Sequence, residues 1–356
     1  MNSKPEVLVT NFNPRFTGVS ATTAAVLKVQ KNQISAALVG KSLYGCPTPL
    51  SKSQAITFSR LKPHNKPFNI WHVRRNTEMQ LALFVKNVLR YPIKIVFTSA
   101  AQRRHSAWPR WLISKMDAVI ATTEEAACFV PNVVSVIPHG VDIERFSPSK
   151  DSKKDWGKTG LPGEYGIINV GRIRPEKGTD LFVEAMIKSL PQLPGAIAII
   201  AGIARAKDSN FKKYLEKKIR DKGMSDRILF LGEVSPGRLP DLMRGCKALV
   251  ALPRYEGFGL TPLEAMACGL PVVASQTGHF QEFLKPLDDK KACGMVVSIE
   301  DHINASNKLV ELLSNQTTYQ KFSKNARSEV IKKYSVLKEA EEINKIYEKL
   351  WNGEIC

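Results

Sequence analysis

The sequence predicts an α/β protein of two doubly wound, Rossmann-like domains, and three observations carry that expectation. Short β-branched runs alternate with helical patterns from end to end. The runs are almost continuously apolar, which is how parallel strands buried on both faces read. With 356 residues, the chain has the length of about two domains of ordinary size.

In chain order, the first series of strands is "VLVTNF", "ISAALVG", "AITFS", "NIWHV", "IKIVFT", "AVIATT" and "VVSVIP". The second is "GIINVG", "AIAIIAG", "ILFLG", "ALVALP", "PVVAS" and "GMVVS". Each series is expected to form one sheet covered by the intervening helices. Between Phe146 and Pro162 the segment "SPSKDSKKDWGKTGLPG" is polar, basic and rich in Pro, Ser and Gly. The boundary is placed there, giving domains over 1–148 and 149–334. The last segment, "YSVLKEAEEINKIYEKLW", sets Val336, Leu337, Ile343, Ile346, Tyr347 and Leu350 at helical spacing, so one face of a helix packs on something. No short repeat or low-complexity tract interrupts the pattern.

Composition narrows the class. The chain is 43% hydrophobic and 24% charged, as ordinary soluble proteins are. No apolar h-region with a small-residue cleavage site follows "MNSKP", so no signal peptide is read. No apolar run reaches the roughly 18 to 20 residues that span a bilayer, and a cytosolic chain is expected. Cys46, Cys128, Cys246, Cys268, Cys293 and Cys356 are scattered without CxxC or Cys/His spacing for zinc, as expected of incidental thiols in a reducing compartment. The formal charge of +19 draws polyanions, whether nucleic acid, an anionic membrane or a phosphorylated sugar or lipid, without choosing among them.

Two loops concentrate the chemistry. In "GIINVGRIRPEKGTDLFVEAM" a strand ends at Val170, a loop carries Gly171, Arg172, Arg174, Lys177 and Gly178, and a helix starts near Thr179. Cations at the carboxyl end of a parallel strand stand where open α/β sheets bind ligands. The loop is not a Walker A loop, because its Lys precedes the Gly. The plain alternative is a solvated basic turn. In "CKALVALPRYEGFGLTPLEAMACG" a strand over Ala248 to Leu252 leads through Glu256, Gly257, Phe258, Gly259 and Leu260 to a two-turn helix. Thr261 stands at its N-cap, Pro262 at N1 and Gly269 beyond its end. Thr261 and Glu264 also match a capping box, in which the glutamate only bonds back to the cap. Against that, the glycines let backbone approach a ligand, and the N–H groups from Phe258 to Leu263 form a positive pole for a diphosphate. A carboxylate at Glu264 is then placed for a ribose diol, and Glu256 faces the far side of the phosphates.

These residues resemble the family 4 retaining glycosyltransferases of GT-B fold. Glu256 and Glu264, with seven residues between them in a Gly-Phe-Gly and Pro-Leu-Glu-Ala-Met-Ala context, are similar to the family's E-x7-E signature. "GRIRPEKG" resembles its G-R-x-x-x-x-K-G segment, and "VIPHGVDIERFSP" its IPNGVD stretch, with His139 in place of Asn. "NPRFTGVSAT", "IWHVRRNTEMQ" and "RRHSAWPRWLISKMDAVIATT" resemble bacterial lipopolysaccharide-core mannosyltransferases. The resemblance implies two Rossmann-like domains facing across a cleft, with residues 335–356 forming a helix that crosses back to the first domain. It implies a nucleotide-sugar donor, GDP-mannose foremost, held by the second domain, and an anionic inner-core acceptor of the Kdo-lipid A type held by the first.

By resemblance, Arg172 and Lys177 neutralise the leaving diphosphate, Glu264 holds the ribose and Glu256 lies at the donor sugar. Fixed cations and helix-end N–H groups aimed at the leaving group stabilise the charge that develops there. No cofactor or metal is expected, since there is no Asp-x-Asp motif and Asp288 and Asp289 in "LDDKK" read as a surface turn. Retention, described in the family as front-face attack with the leaving phosphate taking the acceptor proton, calls for no protein nucleophile.

In the first domain, Gly18 on the long loop before a helix near Ser20 is expected near the donor phosphates, and Arg15 near an acceptor anion. The family often carries a His shortly after the strand equivalent to "IVFT". Here His105 takes that role from a shifted position, or is structural or solvent-facing. Arg74, Arg75, Arg103 and Arg104 suit a phosphorylated or carboxylated acceptor, unless they only pair with acids such as Glu78. Trp108 and Trp111 among cations favour a membrane interface at the cytoplasmic face of the inner membrane, or else a core face of a helix.

The rivals are a UDP-sugar transferase of the same fold, a basic nucleic-acid-binding protein and a nicotinamide-dependent dehydrogenase. No helix-turn-helix, RNP or zinc-finger pattern supports the second, so no nucleic-acid partner is expected. No Gly-x-Gly-x-x-Gly fingerprint supports the third.

Overall fold

The computed structural model describes residues 4–355 apart from 16, 101, 102, 286, 287 and 289. Asp289 and Cys356 therefore lie outside the described residues. The chain divides into two compact units, Met1–Gly140 with Tyr334–Cys356, and Val141–Lys333.

The first unit contains a six-stranded sheet of β1 (Val7–Asn11), β2 (Ala36–Gly40), β3 (Asn69–Val73), β4 (Ile93–Ser99), β5 (Ala118–Ala121) and β6 (Val133–Val136). The order is β2-β1-β3-β4-β5-β6, all parallel. The second unit contains β7 (Tyr165–Val170), β8 (Ala196–Ala201), β9 (Ile228–Gly232), β10 (Cys246–Ala251), β11 (Val272–Ser275) and β12 (Gly294–Val297). Their order is β12-β11-β10-β7-β8-β9, again parallel. β1, β3 and β8 are buried along their whole length, as helices on both faces require. Each sheet reverses its direction of growth once, between β1 and β3 and between β7 and β10. Open α/β sheets bind ligands at the carboxyl ends of the strands at that reversal.

Three expectations need correction. "AITFS" is not a strand but the end of a helix, Lys52–Ser59. Its start is written in Ser51-Lys52-Ser53-Gln54, a capping box in which the Ser51 hydroxyl accepts from the Gln54 N–H and the Gln54 side chain accepts from the Ser51 N–H. The domain boundary falls at Gly140/Val141 rather than after 148, because the following residues pack into the second unit. Val141 and Phe146 are buried, and Arg327 Nη1 donates to the carbonyls of Ile143, Phe146 and Ala267 at 3.0, 2.9 and 2.8 Å. The basic seam itself holds a helix, Ser152–Gly157, capped by Asp151 and anchored by buried Trp156. Third, Leu337 is 49% exposed and does not belong to the packed face of the last helix.

That helix, Val336–Trp351, belongs to the first unit, where Ile343, Ile346, Tyr347 and Leu350 share a core with Ala24, Val26 and Leu27 of the helix Gly18–Gln30. A polar network secures it. Buried His72 on β3 meets the Tyr347 hydroxyl at 2.5 Å and the Thr98 hydroxyl at 2.7 Å, and burial holds the imidazole well below its usual pKa. Glu339 accepts from the Gly140 N–H at 2.7 Å and pairs with His139 Nδ1 at 2.8 Å. A Cβ at Gly140 would lie 2.5 Å from the Ser335 carbonyl, so only glycine lets the chain pass so close to the helix cap.

Candidate active site

At the reversal in the second sheet, the loops after β7 and β10 are built into one another. After Gly171 (φ +151°) the chain runs through a single 3-10 turn, Pro175–Lys177, and ends it at Gly178 in the left-handed region (φ +63°). A Cβ on Gly178 would stand 1.7 Å from the Leu252 carbonyl oxygen, so this glycine brings the two loops into backbone contact. Lys177 Nζ then lies 2.5 Å from Glu256 Oε2, and Glu256 Oε1 accepts from the Gly257 N–H at 2.9 Å.

Arg254 braces this arrangement, and no spacing rule pointed to it. Its guanidinium forks onto Asp180 at 2.9 and 2.8 Å, Nη1 also reaches the Pro175 carbonyl at 2.6 Å, and Nε pairs with Glu300 at 2.7 Å. Its own N–H donates to the Glu176 carbonyl at 3.1 Å. The carboxylates hold its pKa above the usual guanidinium value. One side chain thus fixes both ends of the turn that carries Lys177.

The helix after the second loop is Leu260–Ala267, starting two residues earlier than expected, with Gly259 as N-cap at φ +84°. The Thr261–Glu264 capping box does not form: Thr261 is inside the helix and the cap has no side-chain hydrogen bond. The N–H groups of the first turn therefore lack acceptors within the helix, as an anion site requires. Gly269 (φ +74°) closes the other end in a Schellman arrangement, with Leu270 N–H on Ala265 O and Gly269 N–H on Met266 O, both 2.9 Å. Glu264 falls in the second turn rather than the first. Among the described residues its carboxyl makes no hydrogen bond, and burial pushes its pKa up to about 7 against an opposing effect of Arg145.

Arg172 makes no ion pair among the described residues; burial, then Arg174 and Arg205, lower its pKa, so the carboxyl ends of β7 and β8 carry a positive field. Arg205, after β8, was not singled out in the sequence. The Phe258 ring is buried and stacks on His279 at 5.9 Å, so at this position backbone rather than ring is offered to a ligand. Among the described residues no group of three or more His, Cys, Asp or Glu gathers as a metal site would need. The chemistry on offer is a cationic, N–H-lined cradle with one free and one paired carboxylate.

The family described as glycosyl transferases group 1 matches residues 151–329. The chain is 36% identical over 352 residues to the lipopolysaccharide core biosynthesis mannosyltransferase LpsB of Rhizobium meliloti (strain 1021), covering 97% of each chain. It is 37% identical over 349 residues to the corresponding LpcC of Rhizobium leguminosarum bv. viciae, covering 97% of this chain and 96% of that one. The chain is a group 1 glycosyltransferase. Its two sheets superpose on the Anabaena HepE structure in complex with UDP at a TM-score of 0.79 over 97% of this chain and 100% of that one, with 16% identity. That likeness establishes the GT-B fold.

In the transferase's first unit, the reversal between β1 and β3 is filled by its own side chains. Arg75 is not free for an acceptor: Nη1 bonds Asn11 Oδ1 and Glu78 Oε1 at 3.0 Å, and Nη2 bonds the Thr17 and Ser20 hydroxyls at 3.2 Å. Buried Glu78 further accepts from Thr10 Oγ1, Phe12 N–H and Arg74 N–H at 2.9, 3.1 and 2.9 Å. The pairing alternative thus holds for Arg75. Arg74 differs: its Nε and Nη1 are buried without partners among the described residues, and burial lowers its pKa.

Gly18 opens the helix Gly18–Gln30 behind the Thr17 cap, and a Cβ there would meet nothing within 4 Å among the described residues. Arg15, Arg103 and Arg104 are exposed, and His105 presents a buried Nε2 without a partner among the described residues. Trp108 and Trp111 are exposed rather than core. No helix among the described residues is long and apolar enough to cross a membrane.

Proposed function

We propose that this glycosyltransferase moves mannose from GDP-mannose, with retention, onto an anionic lipopolysaccharide inner-core acceptor of the Kdo-lipid A type at the cytoplasmic face of the inner membrane. Its main support is the near full-length likeness to two lipopolysaccharide-core mannosyltransferases, joined to a second-unit cradle suited to a sugar diphosphate.

In this proposal the diphosphate lies on the open N–H groups of the helix Leu260–Ala267, with Arg172 and Lys177 facing the charge that grows as the nucleoside diphosphate leaves. Glu264 accepts from the ribose hydroxyls. Glu256, oriented by Lys177 and by the Gly257 N–H, accepts from a hydroxyl of the donor sugar. The departing phosphate oxygen takes the proton of the attacking acceptor hydroxyl on the same face of the sugar, so the protein supplies no nucleophile. Protein cations do the work that a metal would otherwise do. Arg15, Arg74, Arg103, Arg104 and His105 stay as acceptor-side candidates, Arg74 with the strongest case because its buried donors have no partner.

The test is a panel of GDP- and UDP-sugars offered with a Kdo-bearing lipid A precursor, reading product mass, anomeric configuration and the nucleoside diphosphate released. A hexose adduct formed from GDP-mannose alone is the expected result. Transfer from a UDP-sugar only would replace the donor assignment, and no transfer to the Kdo-bearing lipid would remove the acceptor.

A further inference from the structure

We propose that the helix Ala107–Ser114 and the cations around it form a docking face for an anionic phospholipid surface. Trp108 and Trp111 are 53% and 49% exposed and stack on one another, with ring centroids 5.1 Å apart and planes 12° apart. Leu112 and Ile113 of the same helix are buried, so the helix is anchored without the indoles. A stacked pair of exposed indoles is a contiguous apolar patch of the kind that marks an interaction surface.

Charge identifies that partner. From Phe84 to Met116 the sequence holds seven Lys or Arg and no Asp or Glu. Lys86 and Lys94 pair with Asp117, and the other five, Arg90, Arg103, Arg104, Arg110 and Lys115, make no ion pair among the described residues. Exposed Lys115 follows Trp111 by four residues, on the same side of the helix. Indoles beside unpaired cations match the headgroup level of an anionic bilayer. The packed neighbour, helix Asn76–Leu83, continues into Phe84–Val88, where Phe84 and Val88 are 45% and 64% exposed. These apolar groups suit acyl chains and have no use for a nucleic-acid backbone. The indoles already stack on each other, which leaves no slot between them for a base.

What docking serves rests on the proposed membrane-borne acceptor, but lipid binding is measured without donor or acceptor, so either idea can fail alone. The probe is vesicles of phosphatidylglycerol in phosphatidylcholine, compared with phosphatidylcholine alone, read by co-sedimentation and tryptophan emission. Trp71, Trp156 and Trp351 are buried, so a blue shift and shielding from an aqueous quencher report Trp108 and Trp111. Binding to the anionic vesicles that weakens with salt is expected. Trp108→Ser with Trp111→Ser should weaken it at least about tenfold, since roughly half of each indole has area to remove from water. Arg103→Gln and Arg104→Gln should cost about fivefold each. An unchanged circular dichroism spectrum keeps the variants interpretable, because all four side chains are exposed.

The proposal is overturned by absence of binding to anionic vesicles, or by equal binding to neutral ones. It is also overturned if the double tryptophan variant binds as the native chain does. The same holds if that variant loses instead a self-association or a single-stranded DNA affinity that the native chain shows without lipid.

Discussion

Replacing Glu264 by Gln should stabilise the ligand-free protein at neutral and alkaline pH while weakening its hold on nucleotide. Burial raises the carboxyl from its ordinary 4.5 to about 7, so between those values the folded chain keeps a proton that the unfolded chain has lost. The penalty of an ionised Glu264 is therefore absent below pH 4.5, builds as the pH rises, and is complete above pH 7. At 1.36 kcal/mol per decade the full penalty is about 3 kcal/mol, and closer to ~2 because part of the side chain reaches water. Gln does not titrate, so the variant should be more stable by about 2 to 3 kcal/mol at pH 8, with the gap falling below about 1 kcal/mol at pH 5.

Urea unfolding at both pH values measures the gap, and calorimetric titration with GDP measures the other half of the prediction. Losing a charge-assisted acceptor to a ribose diol should weaken nucleotide binding by about 1 to 3 kcal/mol. A Gln variant that is less stable at pH 8, or a gap that does not move with pH, would mean that the carboxylate serves the helix after all. Unchanged GDP affinity would remove Glu264 from the ribose.

Arg172→Ala and Lys177→Ala should each lower kcat by on the order of a hundredfold or more if they face the leaving diphosphate, and near-normal turnover in both would refute that role. Arg254→Ala should lower stability by about 2 to 3 kcal/mol and reduce kcat/KM, with Arg254→Lys restoring only part because a single ammonium cannot fork onto Asp180; equal behaviour of Lys and Arg in steady-state kinetics would show that the brace is not needed. Gly178→Ala should lower the melting temperature and impair activity, since a Cβ would stand 1.7 Å from the Leu252 carbonyl at a φ of +63°; a wild-type melting curve would contradict the close loop contact. Glu256→Gln should tighten binding of free nucleoside diphosphate several-fold by freeing Lys177, yet slow transfer; weaker diphosphate binding would place Glu256 elsewhere.

The strands were readable because parallel sheets covered on both faces demand unbroken apolar runs, and these sheets supply them. "AITFS" failed as a strand because apolar residues in so short a stretch fit either period, and the deciding Ser51 and Gln54 lie outside it. The seam after Phe146 misled by composition: its cations are solvent-facing, while buried Trp156 ties the short helix to the second unit. At the site, the Arg172 and Lys177 loop and the two glutamates followed from local pattern. Arg254 did not, since its partner Asp180 is 74 residues away and only Gly178 brings the loops close enough to pair. The Thr261 capping box was wrong for a local reason: Gly259 takes the left-handed cap and starts the helix two residues early.

The two cations of the cradle divide the work differently from what their shared loop suggests. Lys177 spends its charge on Glu256 at 2.5 Å, so a bare phosphate approaching there meets a carboxylate as well as an ammonium. Arg172 has no such partner and faces Arg174 and Arg205, so it is the open attractor. A ligand that only brings negative charge gains from Arg172 but must compete with Glu256 for Lys177. A ligand that brings a hydroxyl beside its phosphates keeps the pair intact, because the carboxylate accepts the hydroxyl while Lys177 turns its remaining N–H groups to the phosphate. On the proposed donor placement, the pair would favour a sugar diphosphate over a simple polyphosphate by repulsion as much as by attraction. Arg254 and Gly178 act by holding that pair in place before any ligand arrives, which is where preorganised electrostatics gains its effect.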